Sequence, residues 1–175
     1  MSPDGSSLAD TRFMTAALHL AQTALRDGEF PVGCVIADGD AVVATGHRTG
    51  TADGPGNEID HAEINALRCL GETWPDKDRS TLTVYCTMEP CLMCFSAIVL
   101  SGIGRIVYAY EDVMGGGTGV DRSGLPTLYR DARLTVVPGV LRKKSLALFQ
   151  KFFADSSTDY WADSLLSRYT LAQPA

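Results

Sequence analysis

The chain has 175 residues, of which 45% are hydrophobic and 21% are charged, and it carries a formal net charge of −6. This length predicts one compact domain, and the composition is typical of soluble globular proteins and argues against disordered and fibrous ones. The acidic balance lacks the overall basic character expected of a protein that binds nucleic-acid phosphates, although a local basic patch is compatible with it.

The sequence predicts a cytoplasmic protein with no membrane partner. No apolar run reaches the roughly 18 residues that a spanning helix needs, and the first ten residues lack the basic head and apolar body of a signal peptide. The number of cysteines is odd, which argues against a disulfide framework and favours metal-binding or catalytic thiolates. The five cysteines are Cys34, Cys69, Cys86, Cys91 and Cys94.

Helical and strand patterns alternate along the chain. Apolar residues three and four positions apart predict a first helix over 8–27, and two β-branched runs on either side of Asp38-Gly39-Asp40 predict an antiparallel hairpin. The expected strands lie over 32–37, 41–45, 82–86, 105–110 and 134–137, and the further helices over 60–70, 90–100, 141–153 and 160–169. The alternation predicts parallel strands joined by right-handed crossovers, with helices packed on the faces of the sheet.

Two motifs stand at the starts of predicted helices: His61-Ala62-Glu63 and Pro90-Cys91-Leu92-Met93-Cys94. Helix N-termini gather at the carboxyl ends of parallel strands, so we expect the two motifs to meet. A CxxC at a helix start directs two sulfurs to one point, and the helix N-terminus favours thiolates. The sequence therefore predicts zinc bound by His61, Cys91 and Cys94, with a fourth vertex open for a water of lowered pKa.

Glu63 lies two residues after His61, where its carboxylate can carry protons without binding the metal. The combination of H-x-E with P-C-x-x-C is the signature of zinc-dependent nucleobase deaminases. Three other interpretations of these residues are a structural zinc site, a redox dithiol at Cys91 and Cys94, and a solvated Glu63 favoured by the helix dipole. A redox dithiol does not explain the paired His61 and Glu63.

Longer matches extend these motifs: His61-Ala62-Glu63-Ile64, Thr87-Met88-Glu89-Pro90-Cys91-Leu92-Met93-Cys94, Phe30-Pro31-Val32-Gly33 and Gly139-Val140-Leu141. In these segments the chain resembles the cytidine deaminase-like superfamily, nearest its branch of bacterial tRNA adenosine deaminases and guanine deaminases. The resemblance implies an α/β fold, a three-layer α/β/α sandwich around a five-stranded mixed sheet. It also implies one zinc per chain on the two cysteines and the histidine, Glu63 as proton shuttle, and a homodimer.

The resemblance divides the chain into a flexible N-terminus over 1–7, a catalytic domain over 8–153 and a C-terminal extension over 154–175 with an aromatic helix. Within the extension, Tyr160, Trp161 and Tyr169 either cover the pocket or seal an edge of the core. The glycine-rich stretch over 115–119 either approaches a ligand closely or forms a surface turn.

One stretch, Gly46-His47-Arg48, departs from the branch, which has Gly-x-Asn here and uses the asparagine to hold the base. Arg48 stands in that place, and the loop before His61 is about two residues longer. Arginine offers only donors, so it predicts a carbonyl-rich, anionic or phosphorylated ligand, with Asn57 as an alternative reader of the base. The residues expected to bind substrate are Phe30, His47, Arg48, Asn57, Tyr110 and Asp112.

The predicted reaction is zinc-dependent hydrolytic deamination of a purine- or pyrimidine-type base or nucleoside, with release of ammonia. Adenosine-to-inosine editing of tRNA is the alternative within this chemistry. It is disfavoured because Lys and Arg number 15 against 21 Asp and Glu, and because residues 154–159, a basic segment in the tRNA enzymes, hold two aspartates here. A catalytically silent zinc-binding partner subunit is an alternative of another class.

Overall fold

The structure, a computed structural model, describes residues 7–52, 56–74 and 78–174. Its elements in chain order are α1 Leu8–Arg26, β1 Gly33–Asp38, β2 Ala41–His47, α2 Ala62–Thr73, β3 Thr83–Met88, α3 Leu92–Leu100, β4 Arg105–Tyr110, α4 Thr127–Arg130, β5 Thr135–Val137, α5 Arg142–Phe153 and α6 Leu165–Ala172. The predicted strands and the predicted helices up to residue 153 are confirmed with small shifts at their ends. The single-turn helix α4 was not predicted.

The five strands form one mixed sheet in the order β2-β1-β3-β4-β5, as the resemblance implied. Strands β3, β4 and β5 are parallel, whereas β1 is antiparallel to both of its neighbours. The predicted antiparallel hairpin is confirmed at β1 and β2, and the predicted parallel strands are confirmed at β3 to β5. The antiparallel pairing of β1 with β3 was not predicted. The short turn at Gly39, which has a φ of +54°, keeps β1 beside β2, so the connection from β2 to β3 passes over β1.

Helices cover both faces of the sheet, which confirms the three-layer α/β/α sandwich. Alternate residues of the central strands pack with α1 on one face and with α2 and α3 on the other. Two glycines allow the helices to approach the strands closely: a Cβ at Gly33 would lie 2.2 Å from the Ala17 carbonyl oxygen, and one at Gly46 would lie 2.2 Å from that of Ala62. The second contact fixes the beginning of α2 against β2.

The described part of the chain begins at Ser7, the last residue of the stretch over 1–7 that the sequence predicts to be flexible. Ser7 caps α1: its hydroxyl accepts from the Asp10 amide, and the Asp10 carboxylate accepts from the Ser7 amide. This reciprocal pair satisfies two amides that the helix itself leaves unpaired. Residues 1–6 of the predicted flexible stretch lie outside the described residues.

The last helix begins later than the sequence predicted, at Leu165 rather than at residue 160. Trp161 and Asp163 have left-handed backbone angles, with φ of +57° and +58°, which a right-handed helix does not contain. The hydroxyl of Ser164 then caps α6 by accepting from the Ser167 amide. Tyr160 and Trp161 therefore belong to the segment that connects α5 to α6.

Helix α6 is anchored to the rest of the fold by polar contacts. The Thr170 and Tyr110 hydroxyls are 2.9 Å apart, and the Tyr169 hydroxyl donates to the Glu111 carboxylate at 2.7 Å. Glu111 also accepts from Arg142 at the start of α5. Among the described residues, no helix combines the length and apolar character that crossing a membrane requires.

Candidate active site

The predicted metal-binding motifs meet at one end of the sheet. His61 is the N-cap residue of α2 and Cys91 is that of α3, while Cys94 lies in the first turn of α3. At the same end, β3 and β4 finish and β1 begins, because β1 runs antiparallel to β3. The unpaired amides of both helix N-termini thus surround the site, as the reasoning on parallel strands predicted.

The three donor atoms are spaced for one metal ion. The Nδ1 atom of His61 lies 3.5 Å from the Sγ atom of Cys91 and 3.5 Å from that of Cys94. Tetrahedral zinc, with bonds of about 2.1 Å to nitrogen and 2.3 Å to sulfur, separates such donors by roughly 3.6 Å. In the part of the chain that the structure describes, the cluster has these three members. One nitrogen and two sulfurs leave the fourth vertex free, as in catalytic zinc sites.

Hydrogen bonds within the cluster favour a thiolate at Cys91. The hydrogen bond from the Cys94 thiol lowers the pKa of Cys91 to about 4, with His61 acting in the same direction. That same bond raises the pKa of Cys94. Burial opposes protonation of His61, but the hydrogen bond to Cys91 and the charge of Glu63 raise its pKa overall. The thiolate, which is the form that binds metal, is thus favoured at Cys91.

Glu63 lies in the first turn of α2 with 3% of its surface exposed. Burial raises the pKa of its carboxyl, and the group lies within hydrogen-bonding reach of the Cys94 thiol. It lines the same pocket as His61 and Cys91 without joining the donor cluster. A carboxyl group that is shielded from solvent and lies beside the metal position can take up and return a proton.

The pocket above the cluster has an empty volume of about 640 Å³, with the open solvent at its mouth included. Three of the six residues predicted to bind substrate line it: Phe30, Arg48 and Asp112. Most of the remaining wall is apolar. The pocket is also lined by residues that were not predicted from the sequence to lie there: Glu58, Met88, Glu89, Met114 and Leu166. Tyr160 and Trp161 also line it, and Tyr160 packs against the core cluster as well, as does Tyr169, which does not line the pocket.

Arg48 is buried in the pocket wall, with 2% of its surface exposed. Its Nη2 atom donates to Glu58 Oε2 at 3.4 Å and to the Tyr160 hydroxyl at 3.5 Å. Its Nη1 atom is buried and has no acceptor among the described residues. Glu58 Oε2 also accepts from the Tyr160 hydroxyl at 3.0 Å and lies 3.9 Å from His61 Nε2. Glu58 thus joins the C-terminal segment to a metal ligand.

The other three residues predicted to bind substrate do not line the pocket. The backbone carbonyl of His47 accepts from Asn65, and its side chain alternates in direction with that of Arg48, as neighbours in extended backbone do. Asn57 is exposed and closes its own turn by accepting from the Ile59 and Asp60 amides. Tyr110 is fully buried, with its ring stacked 5.4 Å from that of Phe149. Proximity along the sequence did not give the direction of these side chains.

The glycine-rich loop is held against the site by Glu89. The Glu89 carboxylate accepts from the backbone amides of Asp112 and Thr118, each at 3.2 Å. Asp112 in turn accepts from the Gly115 amide at 2.9 Å, and Gly116 forms a bridge with Cys91. The loop is therefore a bonded wall of the pocket rather than a surface turn.

We expect Gly116→Ala to lower both stability and kcat/KM. A Cβ at this position would lie 2.6 Å from the Glu89 carboxylate and 2.6 Å from the Asp112 carbonyl oxygen, so the loop must shift at a cost of about 1–3 kcal/mol. Thermal unfolding and steady-state kinetics measure the two effects. The matched control is Gly119→Ala in the same loop, where a Cβ meets nothing within 4 Å. Equal behaviour of the two variants would contradict this account of the loop.

Residues 8–110 match the model of the cytidine and deoxycytidylate deaminase zinc-binding region. The chain belongs to this family of deaminases. The match contains both zinc-binding motifs and confirms the superfamily that the sequence resembles. In this zinc-binding deaminase, His61, Cys91 and Cys94 are positioned to bind one zinc ion.

Relatives of this deaminase agree with the predicted branch. The tRNA-specific adenosine deaminase of Agrobacterium fabrum is 31% identical over 153 residues, covering 85% of this chain and 97% of that protein. A solved structure from a study of tRNA:A34 deaminases that edit A to I at the wobble position is 31% identical. It has a TM-score of 0.67 and covers 79% of this chain and 99% of that one. A guanine deaminase from Nitrosomonas europaea shares the fold, with a TM-score of 0.67 at 24% identity, covering 83% of this chain and 85% of that one.

Proposed function

We propose that this chain is a zinc-dependent hydrolytic deaminase that acts on a small heterocyclic base or nucleoside. One observation carries the proposal: a buried acid, Glu63, shares a pocket with the histidine–cysteine cluster, and that pocket is walled by Tyr160 and Trp161 from the C-terminal segment. The cluster supplies the metal position, the acid supplies proton transfer, and the aromatic wall limits the size of the substrate.

The chemistry replaces an amino group on a ring carbon by a carbonyl, so that water is consumed and ammonia is released. Zinc, when bound, supplies a Lewis acid that activates water. Glu63 accepts a proton from the attacking water at a carboxylate oxygen and delivers it to a ring nitrogen. It then takes the proton of the hydroxyl group added to the ring carbon and passes it to the amino group, which leaves as ammonia while the carbonyl forms. Phe30 and Met88 line the pocket, and we expect them to pack against the ring and to exclude bulk water from this transfer.

A small substrate is favoured over tRNA by the surroundings of the pocket. Tyr160 and Trp161 line its wall, and we expect these two aromatic side chains to restrict access by a polymer. The one basic run on the late helix begins with Arg142, whose guanidinium is paired with Glu111, leaving Lys143 and Lys144 exposed. Asp155 and Asp159 add negative charge in the segment that follows the other end of this helix. Few cations therefore remain to neutralise phosphates near the site.

The second candidate function is adenosine-to-inosine deamination of tRNA. It is favoured by the similarity to the tRNA-specific adenosine deaminase of Agrobacterium fabrum, which is 31% identical and aligns over nearly its whole length. A homodimer, which the resemblance implies, would bring basic residues of two chains together. Exposed Leu92, Leu100 and Leu128 on α3 and α4 offer an apolar surface for such a dimer.

Ammonia release across a panel of free bases, nucleosides, nucleotides and tRNA separates these candidates. We expect turnover on a base or nucleoside to exceed that on tRNA or an anticodon stem-loop. The reason is that the C-terminal segment forms part of the pocket wall and few basic residues lie around the pocket. Glu63→Gln provides the blank for contaminating activity. Faster inosine formation on tRNA would establish the second candidate, and release from no substrate would favour a silent zinc-binding subunit.

A further inference from the structure

We infer that Glu58 is a positioning residue for the metal site: its carboxylate supports the zinc ligand His61 through the ring nitrogen that faces away from the cysteines. This role concerns the retention of zinc and is independent of the ring that is deaminated. Three observations carry it: the direction of the His61 ring, the contacts that fix Glu58, and the origin of one of those contacts in the C-terminal segment.

The His61 ring directs one nitrogen at the sulfur atoms and the other at Glu58. Nδ1 lies 3.5 Å from each Sγ atom of the cluster, whereas Nε2 lies 3.9 Å from Glu58 Oε2, which is an ion-pair distance. A neutral imidazole that gives Nδ1 to a metal carries its proton on Nε2, so the N–H group faces a carboxylate. An outer carboxylate in this place fixes the tautomer and orientation of the ligand and raises its basicity.

The position of Glu58 is set by its contacts rather than by burial, since 53% of its side chain is exposed. Its Oε2 atom accepts from the Tyr160 hydroxyl at 3.0 Å and from Arg48 Nη2 at 3.4 Å. The same atom is the one that faces His61 Nε2. A free surface carboxylate loses rotamer freedom when it stays beside a partner, and these two donors have already removed much of that freedom. The carboxylate is therefore in place when His61 binds the metal.

Tyr160 brings the C-terminal segment into this contact. Its ring packs 5.4 Å from that of Phe30 and 6.4 Å from that of Phe152, which holds its hydroxyl beside Glu58. The residues that match the zinc-binding region of the family end at position 110, and Tyr160 lies well beyond them. Retention of zinc in this chain thus depends in part on a segment outside the matched region.

A second carboxylate near His61 acts at a different place. Glu63 lies within hydrogen-bonding reach of the Cys94 thiol, next to the donor atoms that meet Nδ1. Among the described residues that line the pocket, Glu58 is the carboxylate at ion-pair distance from Nε2. A change confined to Glu58 therefore separates support of the ligand from transfer of the proton.

Chelator competition on the zinc-loaded protein measures this role without any substrate. A chromogenic chelator is titrated into each variant, and the zinc that it removes gives the relative zinc affinity. We expect Glu58→Gln, which keeps the shape of the side chain and removes its charge, to weaken zinc binding by about 10–100-fold, the usual effect of losing an outer partner of a metal ligand. Tyr160→Phe, which keeps the ring and removes the hydroxyl, should weaken it several-fold.

Matched controls carry the same changes away from the site. Glu72→Gln on α2 and Tyr129→Phe on α4 should leave zinc affinity unchanged, since neither residue lines the pocket or joins the cluster. Nuclear magnetic resonance of the zinc-loaded protein adds a readout that a general loss of structure would not give. The chain has three histidines, so their ring nitrogens can be assigned. Glu58→Gln should shift the Nε2 resonance of His61 while Nδ1 stays bound to zinc, and Glu72→Gln should shift neither.

Weaker zinc binding and a shifted Nε2 resonance in Glu58→Gln, with both controls at the parental values, support the inference. Zinc affinity within about twofold of the parent, equal losses in Glu58→Gln and Glu72→Gln, or an unchanged Nε2 resonance overturns it. If Glu58→Gln does not fold, the same comparison of zinc affinity is made between Tyr160→Phe and Tyr129→Phe. Absence of ammonia release from every base and nucleoside overturns the proposed function and leaves the role of Glu58 in zinc retention standing.

Discussion

Glu63→Gln is expected to lower kcat by about 10²–10⁴-fold, the usual contribution of a general acid–base group, while zinc content and fold are retained. The amide has the shape of the acid but cannot carry a proton from water to the ring and on to the leaving amino group. The three metal-binding residues are untouched, so the cluster keeps its donors. Steady-state ammonia release, metal analysis and thermal unfolding measure the three quantities on the same preparation.

A matched control for this substitution lies on the same helix. Glu72 is exposed near the end of α2, away from the pocket, so Glu72→Gln removes the same charge without touching the site. It should retain parental activity. If Glu63→Gln remained within about threefold of the parent, the assignment of proton transfer to Glu63 would be wrong.

Removal of either cysteine ligand is expected to abolish both zinc binding and activity. Cys91→Ala and Cys94→Ala each leave two donors of the three, and a chelator should produce the same inactive state in the parent, reversed by added zinc. Metal analysis of the parent should give one zinc per chain. X-ray absorption at the zinc edge should report one nitrogen and two sulfurs from the protein, with a light atom at the fourth position.

Cys69→Ala is the control, because Cys69 is a partly buried free cysteine outside the cluster. It should keep its zinc and its activity. A fourth protein ligand would point to a structural site, and activity that persists in metal-free protein would contradict a zinc-dependent reaction.

The metal centre could be predicted from the sequence because each of its motifs is a short continuous segment. Each motif lies at a helix start, and one rule about parallel sheets brings helix starts together. The position of β1 between β2 and β3 could not be predicted from the sequence in the same way, because it depends on which strands pair with each other in the folded sheet. Glu58 and Tyr160 were missed for a related reason: they are 102 residues apart, and only the packed fold brings their side chains within 3.0 Å.

The residues assigned to the pocket show the same limit at shorter range. Arg48 was found because it replaces a residue of known position in the resembling branch. His47, its neighbour, was included for proximity alone, and extended backbone turns the two side chains in different directions. Tyr110 ends a strand beside the site, but its buried hydroxyl pairs with Thr170 of a helix whose bounds the sequence misplaced.

The close approach of α2 to β2 at Gly46 separates reactivity from selectivity. The helix that rests on this glycine carries both His61 and Glu63, so one backbone contact sets the reacting centre. Arg48 follows two residues later, beyond the contact, in the wall of the same pocket. Under the proposed function, the hydrolytic reaction and the choice of ring then depend on neighbouring but different parts of the chain.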